Sequence, residues 1–208
     1  MKKYLLTIIA FFLISNLEIK AQTEYGIKTG LNISKYTGDL FAEYNYRVGF
    51  YGGGFVNIRM NEKFKIQSEL LFAQQGTDIL IEDVEIRESP DQIPIIGDFK
   101  SKVIESTISI PILAQYYLAD KIYVEAGPQF GFIIDREEEV TESPVDDPSF
   151  NNISDFDYDK FDLGLSLGAG YELSERLTLN LRYYFGLIGR DFQDVKLSVF
   201  NLGIEYRL

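Results

Sequence analysis

The residues of this sequence that could carry chemistry are charged, and none of them is a histidine. The chain has 208 residues, with no His and no Cys. Because His is the commonest general base near neutral pH, its absence removes the usual Ser–His and Asp–His arrangements. The absence of Cys excludes disulfides and thiolate metal sites. We therefore predict that the protein is not an enzyme and that it uses no cofactor.

Seven charged residues fall on the polar side of an alternating pattern and form the first candidate site. They are Lys28, Glu69, Glu125, Asp162, Arg182, Glu205 and Arg207. On strands that close into a narrow barrel, this side faces the lumen, where charges are tolerated only when they are paired and hydrogen-bonded. We interpret the set as a structural lumen charge network that holds strands in register. A proton or ion path is the alternative interpretation.

A second set of candidates lies in two acidic segments. Residues 135–159 carry ten acids and one base, and residues 77–101 carry seven acids and two bases. Together they have a charge of −14, which equals the net charge of residues 22–208, so the rest of that range is neutral. Acid-rich segments are usually hydrated surface. Carboxylates are also the ligands that Ca²⁺ and Mg²⁺ prefer.

Three of these acids resemble the start of a calcium-binding loop. Asp155, Asp157 and Asp159 alternate as its first ligands do, but the glycine at the sixth position and the distal glutamate are absent. The sequence indicates a weak calcium site here, and we expect the acidic segments to meet a divalent cation or a protein partner. Nucleic acid is excluded as a partner, because its phosphates need an excess of Lys and Arg.

The elements that position these residues are predicted from a period of two, in which apolar and polar residues alternate along the chain. Eight stretches alternate in this way: residues 25–33, 46–58, 64–72, 104–118, 122–134, 161–171, 177–187 and 200–208. Each is long enough to cross a bilayer as a tilted strand, and short turns alternate with longer loops (about 35–45, 76–102, 135–159 and 188–195). This predicts an all-β fold, an eight-stranded antiparallel up-and-down transmembrane β-barrel of the size of OmpA or OmpX. Pro111 and Pro128 fall within strands, and we expect bulges there.

The alternation also fits a soluble lipocalin-like carrier, whose apolar row would face inward around a ligand. Aromatic residues near the strand ends favour the membrane version, because such girdles flank the apolar band of outer-membrane barrels. The many glycines in the polar row also favour it, since a solvated strand face gains nothing from them.

The start of the chain resembles a secretory signal peptide. Lys2 and Lys3 precede an apolar run from Tyr4 to Leu17, and Ala21 ends a cleavage site. We predict a signal peptide over residues 1–21 and a β-barrel domain over residues 22–208. The expected location is the outer membrane of a Gram-negative bacterium after cleavage, with outer-membrane lipid around the barrel.

Five stretches carry a family resemblance: residues 67–76, 108–117, 123–131, 161–173 and 179–183. They resemble the outer-membrane β-barrel proteins of Bacteroidetes often called PorT-like. The resemblance implies the barrel and no particular activity. We expect a structural or surface-interaction role through long acidic extracellular loops. The alternative is an accessory subunit of an envelope or secretion machine, whose partners would bind the barrel wall or the periplasmic turns.

Overall fold

The fold consists of antiparallel strands. A computed structural model describes residues 23–38, 42–86, 93–145, 160–189 and 195–208. The predicted signal peptide lies outside these residues. The described part of the chain contains no helix that is long and apolar enough to cross a membrane. The described residues form nine strands: β1 (Thr23–Thr37), β2 (Glu43–Asn45), β3 (Arg47–Arg59), β4 (Phe64–Ile86), β5 (Ile95–Ala119), β6 (Ile122–Glu142), β7 (Phe161–Glu172), β8 (Leu177–Gly186) and β9 (Lys196–Arg207).

Eight of the nine strands close into a ring. Its order is β4-β3-β1-β9-β8-β7-β6-β5, and a β5–β4 pairing completes it. The ninth strand, β2, pairs only with β4 among the described strands, where Glu43 lies opposite Leu80. The prediction of eight strands differs from this count because β2 lies in the 35–45 segment that was predicted to be a loop, and Tyr46 separates it from β3.

Three strands are much longer than predicted. β4, β5 and β6 have 23, 25 and 21 residues, whereas the 76–102 and 135–159 segments were expected to be loops. The strands continue because their pairing continues, and opposite charges such as Lys102 and Glu139 face each other across it. We call the part that runs past the neighbouring strands (residues 81–86, 95–106 and 134–142) the extension.

The three short connections lie together at the other end of the ring, which we call the turn end. Met60, at the β3–β4 turn, donates a backbone hydrogen bond to Phe64 at 2.9 Å, and Leu173, at the β7–β8 turn, donates one to Leu177 at 2.8 Å. The third is the two-residue turn between β5 and β6. Tight turns at one end and projecting strands at the other follow the plan of outer-membrane barrels.

The two faces of the ring differ sharply in chemistry. The apolar row points outward: Leu31 is 60% exposed and Leu202 is 54% exposed. The polar row points inward, and Lys28 and Gln67 are 2% and 0% exposed. A wide apolar surface of this kind is suited to lipid. The arrangement is the reverse of what the soluble lipocalin-like alternative requires.

The expected bulges at the two prolines are absent from the β5–β6 ladder. Pro111 pairs with Gln129 in the same register in which Ala114 pairs with Ala126. The residues between these two pairs are not paired, and the register is the same on both sides of the gap. The missing N–H groups of the two prolines therefore require no extra residue in either strand. The β5–β6 register shifts lie elsewhere, including one between Ser106 and Thr107 where β6 leaves the ring.

Candidate functional site

Five of the seven predicted lumen charges meet in one cluster inside the ring. Lys28 comes from β1, Glu69 from β4, Glu125 from β6, Arg182 from β8 and Glu205 from β9, and all five are buried. Each lies on the inward side of its strand because side chains alternate between the two faces of a sheet. We call these five residues the central cluster.

Arg182 is the centre of this cluster. Its Nη1 and Nη2 donate to the two carboxylate oxygens of Glu69, each at 2.7 Å, and its Nε donates to Oε1 of Glu125 at 2.8 Å. All of the guanidinium's three nitrogens are therefore engaged. A planar guanidinium that binds one carboxylate with two parallel bonds is among the strongest charged contacts in proteins.

Lys28 joins the remaining carboxylate to the same cluster. Its Nζ lies 3.2 Å from Oε1 of Glu69 and 2.8 Å from Oε1 of Glu205, and it donates to Oδ1 of Asn180 at 3.0 Å. All three contacts of the ammonium lie inside the ring. A buried ammonium is tolerated when its donors are satisfied in this way.

Three buried amides complete the cluster, and the sequence interpretation had not included them. Gln67 donates to Glu69 and Glu205, Asn180 donates to Glu125 at 3.0 Å, and Gln115 donates to Glu125 at 3.1 Å. The central cluster has three carboxylates and two cations, so these amide donors solvate the surplus negative charge. They share the inward side of their strands with the charged residues, and this periodicity was the signal that could have found them.

Arg207 lies in a different cluster at the turn end. Its Nε is 3.2 Å from Oε2 of Glu24, and its Nη2 donates to Oε1 of Glu172 at 3.3 Å. Lys65 approaches the same two carboxylates, and Tyr117 donates to Glu172 at 2.6 Å. Glu24, Glu172 and Lys65 were not among the predicted residues. These three residues lie in the turn-end cluster because they occupy the inward positions nearest the turns.

Asp162 is buried but lies farther toward the extension. Its register partner on β6 is Gly131, three inward positions beyond Glu125. Six residues of strand separate the two levels by roughly 20 Å along β6. The seven predicted residues are thus distributed over three levels of the lumen.

Large aromatic side chains fill the lumen beside inward glycines. Tyr51 lies against Gly203 and Gly30, and Tyr123 lies against Gly170. A Cβ at any of these glycines would collide with the ring of the tyrosine. The glycines in the polar row therefore make room for aromatic rings that lie across the neighbouring strand, a role that alternation alone does not reveal.

The lumen leaves little free space above the central cluster. A cavity of about 20 Å³ adjoins Arg182, Tyr51 and Gln75, which is room for about one water molecule. A buried apolar layer lies beyond this cavity, toward the extension, and consists of Tyr36, Val103, Tyr184, Val195, Leu197 and Val199. Below this layer, Tyr36 donates to Glu105 at 2.6 Å. Among the described residues, these groups fill the lumen at this level.

The described residues include no group of three or more acids, His or Cys that could hold a metal ion. The predicted calcium site at Asp155, Asp157 and Asp159 lies outside the described residues. In the extension, Lys100 donates a hydrogen bond to Glu142. This bond raises the pKa of the Lys100 amine.

The comparison with known families agrees with this geometry. Residues 20–189 match the model of the family described as outer membrane protein beta-barrel domain. The chain belongs to this family. The outer membrane is accordingly its location, and the barrel is its transmembrane part. The finer resemblance to the PorT-like proteins of Bacteroidetes stays a prediction.

Two solved barrels show the same fold at low sequence identity. Neisserial surface protein A (NspA) is 12% identical, with a TM-score of 0.54 over 88% of this chain and 97% of NspA. The outer membrane protein OprG from Pseudomonas aeruginosa is 12% identical, with a TM-score of 0.51 over 90% of this chain and 97% of OprG. No curated protein matches the chain in sequence. At such identities the likeness concerns the fold alone.

Proposed function

We propose that this barrel is a closed, non-enzymatic membrane anchor and that its extension is the part that interacts with partners outside the cell. The observation that carries the proposal is the length of β4, β5 and β6. They have 21 to 25 residues, whereas the other strands of the ring have 10 to 15. A bilayer needs only about 9–11 residues of a tilted strand. The surplus builds a paired sheet that projects beyond the membrane.

The charge of the extension supports an interaction role. Its three segments carry ten acids and three bases. A surface with this much excess negative charge attracts cationic partners and repels anionic ones at low salt. The turns lie at the opposite end, and in outer-membrane barrels short turns face the periplasm, so the extension would face the medium.

The interior of the barrel supports an anchoring role rather than transport or catalysis. The charged groups of the central cluster bond to one another, and the apolar layer closes the lumen above them. The adjoining cavity of about 20 Å³ has no room for a substrate. The cluster therefore serves to join strands across the ring.

A truncation tests this proposal. Residues 137–157 are replaced by a short Gly-Ser turn, which retains the backbone hydrogen bond from Ile133 to Lys160 at 2.7 Å and the whole of β7. Cells that display the intact or truncated protein are compared for adhesion to polylysine-coated and heparin-coated surfaces. We expect the intact protein to increase adhesion to polylysine and the truncation to remove the increase. Equal adhesion by both proteins on both surfaces contradicts the proposal. Heat-modifiability on gels checks that the truncated barrel folds.

The accessory-subunit alternative has one observation in its favour. A cavity of about 380 Å³ opens at the turn end, lined by Arg59, Lys63, Lys65, Tyr117, Asp120 and Glu172 among others. A concave site with both signs of charge could receive a loop of a periplasmic protein. If substitutions in this cavity disrupt an envelope assembly that the truncation leaves intact, the alternative is favoured.

A further inference from the structure

The turn-end cluster contains more positive than negative charge. Within the described part of the chain, Arg59, Lys65 and Arg207 form ion pairs with only two carboxylates, those of Glu24 and Glu172. Three cations and two anions leave a net charge of +1. A cation that is partly removed from water is stable when an anion or a hydrogen-bond acceptor satisfies it. One further negative charge would therefore be favourable at this end of the barrel.

The contacts of this cluster are long, so its cations are incompletely satisfied. Nη2 of Arg59 lies 3.4 Å from Oε1 of Glu24, and Nζ of Lys65 lies 3.4 Å from Glu24 and 3.6 Å from Glu172. In the central cluster the contacts of Arg182 are 2.7–2.8 Å, the usual length of charged hydrogen bonds. The buried Nε of Arg59 makes no hydrogen bond to any described residue. The donors of Arg59 and Lys65 are thus available to a better acceptor.

The cavity of about 380 Å³ at the turn end opens onto this surplus positive charge. Arg59 and Lys65 line it, and the side chain of Lys65 is only 4% exposed. Glu62, Lys63 and Asp120 also line it, but they lie at the turns and are exposed. These three exposed residues carry a net charge of −1. The cavity therefore offers positive charge at its buried part and negative charge at its mouth, and its volume suits a small ligand.

The parts of the chain outside the described residues are poorly suited to supply the missing anion. Residues 1–22 precede β1 at this end, but they carry three bases and one acid. The other segments outside the described residues connect strands on the side of the extension. The complementary negative charge is therefore expected from another molecule.

We propose that the turn-end cavity binds a short zwitterionic peptide, with its terminal carboxylate against Arg59 and Lys65 and its terminal ammonium toward Glu62 and Asp120. The carboxylate accepts hydrogen bonds from both cations and brings the turn-end cluster to neutrality. The short turns of outer-membrane barrels face the periplasm, so the peptide enters from that side. The inference concerns the opposite end of the barrel from the extension and does not rest on the proposed function.

The test uses the protein purified from outer membranes in lipid nanodiscs, with isothermal titration calorimetry of the dipeptide Ala-Ala. Two analogues each lack one charge: the C-terminal amide lacks the carboxylate, and the N-acetyl form lacks the ammonium. We expect Ala-Ala to bind and the amide to bind about tenfold more weakly, because it cannot form the charged hydrogen bonds. No binding of Ala-Ala, or equal binding of the amide, overturns the inference. Equally strong binding of inorganic phosphate shows a general anion site and overturns the assignment to a peptide.

A matched pair of variants tests the positive side of the cavity. Arg59→Gln should weaken the binding of Ala-Ala by about tenfold. Arg47→Gln is the control, since Arg47 begins β3 at the opposite end and its loss should leave the affinity unchanged. Equal effects of the two variants overturn the assignment to the turn end. Removal of residues 1–22 should also leave the affinity unchanged, and a gain would show that they occupy the cavity and overturn the inference.

A second pair of variants tests the mouth of the cavity. Glu62→Gln with Asp120→Asn should weaken the binding of Ala-Ala but not of its N-acetyl form, because only Ala-Ala carries the ammonium. Glu82→Gln with Asp83→Asn removes the same charge from exposed positions of the extension and should leave both affinities unchanged. If the first variant weakens both ligands equally, the proposed orientation of the peptide is wrong. Heat-modifiability on gels checks that every variant folds.

Discussion

Arg182 and Glu69 form a bidentate ion pair across the lumen, with two N–O distances of 2.7 Å. They belong to β8 and β4, which are four places apart in the ring of eight and therefore lie on opposite walls. The pair thus joins strands that share no backbone hydrogen bonds. Glu125 on β6 contacts Arg182, and Lys28 on β1 contacts Glu69 and Glu205, so the central cluster joins five of the eight strands of the ring.

Replacement of Arg182 by Met should destabilise the barrel strongly. It leaves Glu69 and Glu125 buried without their main cation, and breaking a buried pair in this way costs about 3–5 kcal/mol. The free energy of unfolding is measured by urea titration in lipid vesicles, with the heat-modifiable gel band as the readout. Arg47→Met is the control. Its pair with Asp78 is partly exposed and 3.5 Å long, so its loss should cost less than about 1 kcal/mol. Equal losses in the two variants would refute the structural role.

The double variant Glu69→Met with Arg182→Met should lose less stability than the two single variants added together. Each single change leaves a buried charge without its partner, whereas the double change removes both charges. We expect a coupling energy of about 2 kcal/mol from the double-mutant cycle, within the range for residues in direct contact. Additive losses would show that the two side chains do not depend on each other.

Gly203→Ala should destabilise the barrel by about 1–3 kcal/mol, the usual effect of overpacking. The new Cβ would collide with the hydroxyl of Tyr51. In a Tyr51→Phe background the loss of stability should be smaller, because the hydroxyl oxygen that lies nearest to the new Cβ is absent. Gly54→Ala is the matched control, since its Cβ meets no atom closer than 3.6 Å. The urea midpoint distinguishes these cases, and a neutral Gly203→Ala would contradict the packing described.

Leu202→Arg tests which face of the ring meets lipid. Leu202 is 54% exposed, and its register partners Leu31 and Leu181 lie beside it at mid-strand. An arginine near the bilayer midplane costs about 2–4 kcal/mol. Thr141→Arg, at an exposed position of the extension, should leave the urea midpoint unchanged. If both variants refold in lipid vesicles with the same midpoint, residue 202 does not face the membrane interior.

The wild-type barrel should not conduct ions steadily when it is reconstituted in a planar bilayer. In the described part of the chain, the central cluster and the apolar layer around Leu197 fill the lumen, so we expect no continuous aqueous path. Single-channel recording over a range of voltages checks this expectation. Long-lived, uniform open channels in wild-type protein would contradict the closed lumen.

Much of this barrel is determined by the sequence alone, because a period of two assigns each residue to one face without knowledge of its neighbours. It placed Lys28 and Glu205 inside and Leu202 outside, and the structure agrees. It also identified the two acidic segments. The alternation does not predict the stagger between neighbouring strands. This stagger determines the height along the barrel axis at which each inward side chain lies.

Only the tertiary structure determines the stagger of the strands and the pairing of the inward side chains. Lys28 lies level with Glu205, whereas Arg207, one inward position away, lies level with Gly26 and joins Glu24 and Glu172 at the turn end. The extension is a second such case. Its strands carry so much like charge that the sequence indicated loops, yet the backbone bonds and the opposite charges supplied by β5 hold them as a sheet. The partners across the lumen could not be found without the neighbouring strands, because they depend on residues far apart in the chain.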